Sequence, residues 1–220
     1  MGAPSPNGVL DDHLEVQSSC IGNFGNTLGR RINVLSPDRS RERIQGVLRL
    51  KLPAFEDGRG RMLEAFRREW KDSVFGDELQ VNCSYSKEGV VRGLHFHVRQ
   101  TDYWLPIQGR MKIALFDVRP ASPSHRLCIT MNLSSEKPEG LLIPPGVAHG
   151  FAALSDLHLL YVVNRYYTGA DEYGIAWDDP ELGIDWGLER DPVLSERDLS
   201  NTRFERIEEK QLGEWFGSKA

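Results

Sequence analysis

Cysteine is scarce in this chain: Cys20, Cys83 and Cys128 are the three in 220 residues. An odd number at such wide spacing gives no disulfide framework and points to free thiols in a reducing cytosol. Long apolar runs are missing as well, since no window approaches the roughly 18 residues of a membrane-spanning helix. The opening Met1-Gly2-Ala3-Pro4-Ser5-Pro6 lacks the basic and apolar stretches of a signal peptide, so a cytoplasmic protein without membrane attachment is expected. Positive charge is not in excess. Lysine plus arginine number 27 against 32 aspartate plus glutamate, for a net charge of −5, which argues against nucleic acid as a general partner and leaves any anionic ligand to a few placed arginines. There is no P-loop, no dinucleotide fingerprint, no repeat of roughly 20–50 residues, and no helical stripe longer than two turns.

What is present is a hydrophobic content of 40%, enough for one globular domain with a core of its own. Residues 1–43 are rich in Gly, Pro, Ser, Asn and Arg and read as a flexible N-terminal extension. From Ile44 the texture changes. Residues 47–52 alternate, Asp57-Gly58-Arg59-Gly60 makes a turn and 62–66 resumes, a pattern that predicts a hairpin. Short runs then recur at 79–86, 90–97, 102–107, 111–117, 127–132, 140–144, 150–154 and 157–167, each punctuated by Gly, Pro, Asp or Ser. The spacing predicts an all-β antiparallel sandwich or barrel, with helix confined to short pieces such as one near 205–215.

Chemistry concentrates in Gly89-Val90-Val91-Arg92-Gly93-Leu94-His95-Phe96-His97. Residues i and i+2 of a strand share a face, so His95 and His97 look into one cavity, an arrangement suited to acid–base work or to a metal.

Further motifs follow in order: Ile143-Pro144-Pro145-Gly146-Val147-Ala148-His149-Gly150-Phe151, then Tyr161, then Tyr166-Tyr167, then Gly174-Ile175-Ala176-Trp177-Asp178-Asp179-Pro180 into Gly183-Ile184-Asp185-Trp186, then Leu194-Ser195-Glu196-Arg197-Asp198. Together with Arg92-Gly93-Leu94-His95, this series resembles the dTDP-4-dehydrorhamnose 3,5-epimerase family of cupin-fold enzymes over roughly 44–205. The resemblance implies a cupin-type double-stranded β-helix, or jelly roll, in an epimerase domain over 44–220. It also implies a homodimer, a nucleotide-linked 4-keto-6-deoxy sugar, on dTDP, as substrate, and no required metal or other cofactor. Inverting a carbon beside a ketone needs a base on one face, an acid on the other and a group to hold the enolate oxygen. By resemblance His95 is the base, Asp198 the carboxylate that pairs with it, and Tyr161 the proton donor. Arg59 and Arg92 resemble the pyrophosphate ligands and Tyr167 the aromatic residue beside the nucleotide base. Glu64, Gln80, Asn82 and Ser84 resemble polar pocket residues, and His97 and His149 are placed with the substrate contacts. Each also has a plain reading: Arg59 as a solvated turn residue, Tyr161 as a core-strand tyrosine, His149 as a structural histidine. Trp177 and Trp186 read as packing residues.

The chain departs from the family pattern beside the base. Where the family carries a glutamine and, on the next strand, an enolate-stabilising lysine, this chain has His97 and approximately Asp102. An ionised aspartate cannot donate a hydrogen bond and repels an enolate. Arg99, His97 or His149 can act in its stead, or the enzyme acts at one carbon or on a different keto sugar. The same substitutions resemble metal-cupin motifs, so a second reading is a metal-dependent cupin enzyme using His95, His97, Asp102 and His149. A third is a non-catalytic sugar-nucleotide binder.

Overall fold

The computed structural model describes residues 44–67, 75–207 and 209–217; the extension expected over 1–43 lies outside them. The eight runs read from the sequence become eight strands: β4 (Gln80–Ser86), β5 (Val91–Phe96), β6 (Asp102–Gln108), β7 (Arg110–Asp117), β8 (Cys128–Ser134), β9 (Glu139–Ile143), β10 (Val147–Ala153) and β11 (Leu157–Val163). They are joined by β1 (Leu48–Lys51), β2 (Ala54–Asp57), β3 (Gly60–Leu63) and β12 (Tyr173–Gly174). Among the described residues helix is limited to α1 (Glu196–Ser200), a 3₁₀ turn at Phe204–Arg206 and α2 (Glu209–Phe216).

Two five-stranded antiparallel sheets, in the orders β1-β9-β6-β11-β4 and β12-β5-β10-β7-β8, form the jelly roll. Strand alternation decides what lies between them. Met111, Ile113 and Leu115 of β7 point inward to meet Trp104, Leu141 and Leu159 of the facing sheet. Their neighbours Ala114 and Phe116 point outward, beneath Ile175, Leu182, Trp186, Phe204 and Leu212 of the C-terminal segment. On the other sheet Tyr103, Leu105 and Val162 face outward and are covered by Leu50, Leu52 and Phe75. Both sheets are therefore buried on two faces over much of their area, and they read in sequence as apolar runs as much as alternations. Trp186 packs as expected, with Nε1 donating to the Trp177 carbonyl at 3.0 Å.

The N-terminal hairpin is shifted from its predicted place. Residues 48–51 join the main sheet beside β9, and the hairpin's first arm is β2, paired with β3 around Gly58-Arg59. Pro53 separates the two segments because it has no N–H to continue a ladder, while Leu50 and Leu52 are drawn under the sheet at 2% and 4% exposure.

Candidate active site

Strand β5 runs beside β10, with His95 opposite His149 but Arg92 opposite Phe151. The partner advances by two residues while β5 advances by three, so β5 carries one extra residue, a β-bulge. This slip allows Arg92 and His95, three apart, to line the same cavity. Gly93 makes the slip possible. Its φ is +116°, and a Cβ there would lie 2.6 Å from the Gly150 Cα and 2.7 Å from the His149 carbonyl oxygen, so only glycine fits.

The cavity, of about 470 Å³, opens between the sheets. From one wall comes His95. Its Nε2 lies 2.6 Å from Asp198 Oδ1. Asp198 is delivered by α1, where the Ser195 hydroxyl caps the helix by accepting from the Asp198 N–H at 3.1 Å and donates to Asp198 Oδ2 at 2.8 Å. The Gly93 N–H completes the set at 3.3 Å. Burial alone raises the Asp198 pKa, but the bonds from His95, Ser195 and Gly93 outweigh it and hold the carboxyl below its usual range. An ionised Asp198 accepts a hydrogen bond from a protonated Nε2, which leaves Nδ1 as the basic nitrogen. Glu172 Oε1 stands 3.9 Å from that Nδ1, and Glu172 is itself tied to Arg197 at 2.6 Å.

From the opposite wall comes Tyr161 on β11, between Trp104 of β6 and Asn82 of β4. Burial first, and then the nearby Asp102 charge, raise its pKa, so it holds its proton and can give it. Gln80, Asn82 and Ser84 stand on one face of β4 and line the same wall; Gln80 Nε2 donates to Asn82 Oδ1 at 2.8 Å. Arg92 reaches the rim, where it donates to Ser86 Oγ at 3.0 Å and to the Tyr85 carbonyl at 3.3 Å. Tyr167, 66% exposed, stands at the mouth, with its N–H donating to Gln80 Oε1 at 3.0 Å.

The cavity floor holds His97 and Asp102, which break the family pattern, beside His149, which belongs to it. His97, Asp102 and His149 are buried together, with one nitrogen or oxygen of each lying within 4.8 Å of the others. His97 Nδ1 bonds to the Asp171 carbonyl, and His149 Nδ1 to the Val147 carbonyl at 2.8 Å. Gln100 Nε2 bridges His97 Nε2 at 3.2 Å and Asp102 Oδ1 at 2.8 Å, while Trp104 Nε1 donates to Asp102 Oδ2 at 3.2 Å. Burial pushes the His149 pKa down to about 4 against the opposing pull of Asp102, so His149 is a neutral imidazole. The four-residue metal set proposed from sequence is thus divided, because His95 belongs to Asp198 and the other three belong to one another.

Two of the expected site residues stand apart from the cavity lining. Arg59 sits on the β2–β3 turn with its side chain 91% exposed and paired to Asp57. Glu64 pairs with Arg67, three residues on. Arg99 lies in an adjoining cavity shared with Arg165 and Trp215. Conversely, Gln100, Trp104, Glu172, Ser195 and Arg197 line the cavity without having been assigned roles. Gln100 and Trp104 were legible as the i−2 and i+2 neighbours of Asp102. Glu172 was not, because only the pairing of β12 with β5 brings it beside His95.

Comparison with known proteins agrees with this geometry. The sequence profile of the dTDP-4-dehydrorhamnose 3,5-epimerase family matches residues 41–206. The enzyme of that name from Neisseria gonorrhoeae is 35% identical over 168 residues, 74% of this chain, although the chain spans only about half (51%) of that relative's length. Its counterpart from Shigella flexneri is 33% identical over 168 residues, covering 73% of this chain and 92% of the relative. A solved dTDP-6-deoxy-D-glucose-3,5-epimerase from Legionella pneumophila, in complex with dTDP-4-keto-L-rhamnose, superposes with a TM-score of 0.71 at 27% identity, covering 83% of this chain and 97% of that one. With the profile matched over well more than half its length and an antiparallel jelly roll around a His95–Asp198 pair, the chain belongs to the dTDP-4-dehydrorhamnose 3,5-epimerase family.

Proposed function

We propose that this protein epimerises a nucleotide-linked 4-keto-6-deoxy sugar, carried on dTDP, at C3, C5 or both. His95 Nδ1 removes the proton on the carbon beside the ketone, and the C–H electron pair moves into the enolate. Tyr161 then donates its phenolic proton to the opposite face of that carbon, the ketone reforms, and solvent resets both groups. Asp198 is the positioning partner of His95: it holds the proton on Nε2 and balances the imidazolium formed when Nδ1 is protonated.

One observation carries this reading. The imidazole and the phenol line a single cavity from the two opposite sheets, as inversion at a carbon held between them requires. Arg92, a planar cation at the rim, suits a diphosphate, and the exposed ring of Tyr167 offers a stacking face for a nucleotide base. The sugar nucleotide bound by the Legionella relative supports the same substrate class. We propose further that residues 44–220 form the catalytic domain behind an N-terminal extension, and that the enzyme works as a cytoplasmic homodimer. Free Cys83 and Cys128 suit a reducing compartment, and no helix among the described residues is long and apolar enough to cross a membrane.

The test incubates the full chain with dTDP-4-keto-6-deoxyglucose in D₂O and follows C3 and C5 by NMR. Deuterium entering at either carbon with inversion is expected. Binding without exchange at either carbon would replace this reading by a sugar-nucleotide binder.

A further inference from the structure

We propose that His97, Asp102 and His149 bind a divalent transition-metal cation on the floor of the cavity. All three are buried, at 7%, 4% and 5% exposure. They come from the end of β5, from β6 and from β10, so both sheets fix their relative positions.

The hydrogen bonds around them set up the ligand atoms. A carbonyl oxygen only accepts, so the bonds to Asp171 O and Val147 O place the proton of each imidazole on Nδ1 and leave each Nε2 with its lone pair. Metal-bound histidines are held in the same way, with the second ring nitrogen donating to a carbonyl or carboxylate. The His149 lone pair faces the carboxylate, and that of His97 lies beside it across the Gln100 amide. His149 Nε2 lies 3.8 Å from Asp102 Oδ2, and a carboxylate has no hydrogen to offer an imidazole. His97 Nε2 shares the Gln100 amide with Asp102 Oδ1. Two imidazole lone pairs and a carboxylate are thus gathered in one buried pocket, with Gln100 and Trp104 serving His97 and Asp102 but no donor among the described residues on His149 Nε2, and a cation satisfies all three ligands at once.

The fit requires only a small contraction. Bonds of about 2.1 Å to a tetrahedral ion put its ligands about 3.4 Å apart, and the three ligand atoms here all lie within 4.8 Å of one another. The Gln100 amide would give up the Nε2 lone pair to the ion and keep its bond to Asp102. Two imidazoles and one carboxylate suit Zn²⁺, Fe²⁺ or Mn²⁺ and leave coordination positions open to the cavity. There the ion reverses the sign of the field that Asp102 sets up and gives an enolate oxygen a positive partner. That catalytic role rests on the epimerase reading; the binding of the ion does not.

The test strips the full-length chain with a chelator and titrates it with Zn²⁺, with Co²⁺ and, anaerobically, with Fe²⁺ or Mn²⁺, measuring bound metal per chain and the visible absorption of Co²⁺. One ion per chain is expected, with affinity falling by roughly 100-fold or more in His97→Gln and Asp102→Asn and unchanged in His95→Asn. Should the variants fail to fold, the Co²⁺ spectrum of the unaltered chain decides. Absence of binding at one equivalent, or full affinity retained in both ligand variants, would overturn the proposal. Metal bound at one equivalent with no exchange at C3 or C5 would leave the ion site standing and remove the epimerase reading. Equal exchange rates in chelated and metal-treated protein, with no ion retained, would do the reverse.

Discussion

Replacing Asp198 by asparagine isolates the charge of the His95–Asp198 pair. Both Gly93 N–H and His95 Nε2 face Oδ1, whereas Ser195 Oγ faces Oδ2. An asparagine therefore settles with its carbonyl toward His95 and its amide toward Ser195, whose hydroxyl still accepts. The tautomer of His95 is kept and only the anion is lost. A hydrogen bond to a charged partner is worth about 1.5–3 kcal/mol against about 1 for a neutral one. The imidazolium formed on proton removal also loses its counter-charge at 2.6 Å, in a site where the Asp198 side chain is 5% exposed. The combined loss is about 2–3 kcal/mol, which corresponds to a rate reduction of roughly 30- to 150-fold. Deuterium exchange into a dTDP-linked keto sugar at saturating concentration measures it, with thermal unfolding as the check on fold. A variant that folds normally and exchanges within threefold of wild type would refute the claim that Asp198 acts through His95.

Tyr161→Phe should leave His95 able to remove a proton and return deuterium to the same face, so exchange with retention persists while inversion falls by roughly 10²- to 10⁴-fold; NMR separates the two. Gly93→Ala must force a Cβ against Gly150 at 2.6 Å in a left-handed conformation, which should cost about 3 kcal/mol or more and lower Tm by roughly 6–12 °C in calorimetry. The folded-state pKa of Asp198 is depressed, so its contribution to stability is present above the ordinary carboxylate value and lost as pH falls through the lower folded value. Denaturant melts of wild type and Asp198→Asn should therefore differ at neutral pH, begin to converge near the ordinary carboxylate value of about 4 and meet only below the depressed folded value.

The strands were legible because each carries a local signal. Glycine or proline breaks isolate runs such as 111–117, whose two buried faces make Ile113–Phe116 continuously apolar. The β1–β2 boundary was missed because Leu48–Lys51 and Ala54–Asp57 both suit a strand; Pro53 marks the break between them, and only the pairing of β1 with β9 shows that the first segment belongs to the main sheet. Within the site, His95, Tyr161 and Asp198 were carried by motifs, and the cavity gathers all three. Glu172 had no such signal, since it lies at no regular spacing from His95 and its approach depends on tertiary pairing, whereas Arg197, which ties it down, stands inside the Ser195–Asp198 motif. Arg59, which resembles a diphosphate ligand in sequence, is paired with Asp57 in its own exposed turn.

The central claim is that His95 moves the proton beside the ketone. The rate of deuterium incorporation at C3 and C5 of dTDP-4-keto-6-deoxyglucose, compared between wild type and His95→Asn, tests it most directly. Exchange should vanish at both carbons in the variant while sugar-nucleotide binding is retained; exchange persisting at both carbons near the wild-type rate would contradict the account.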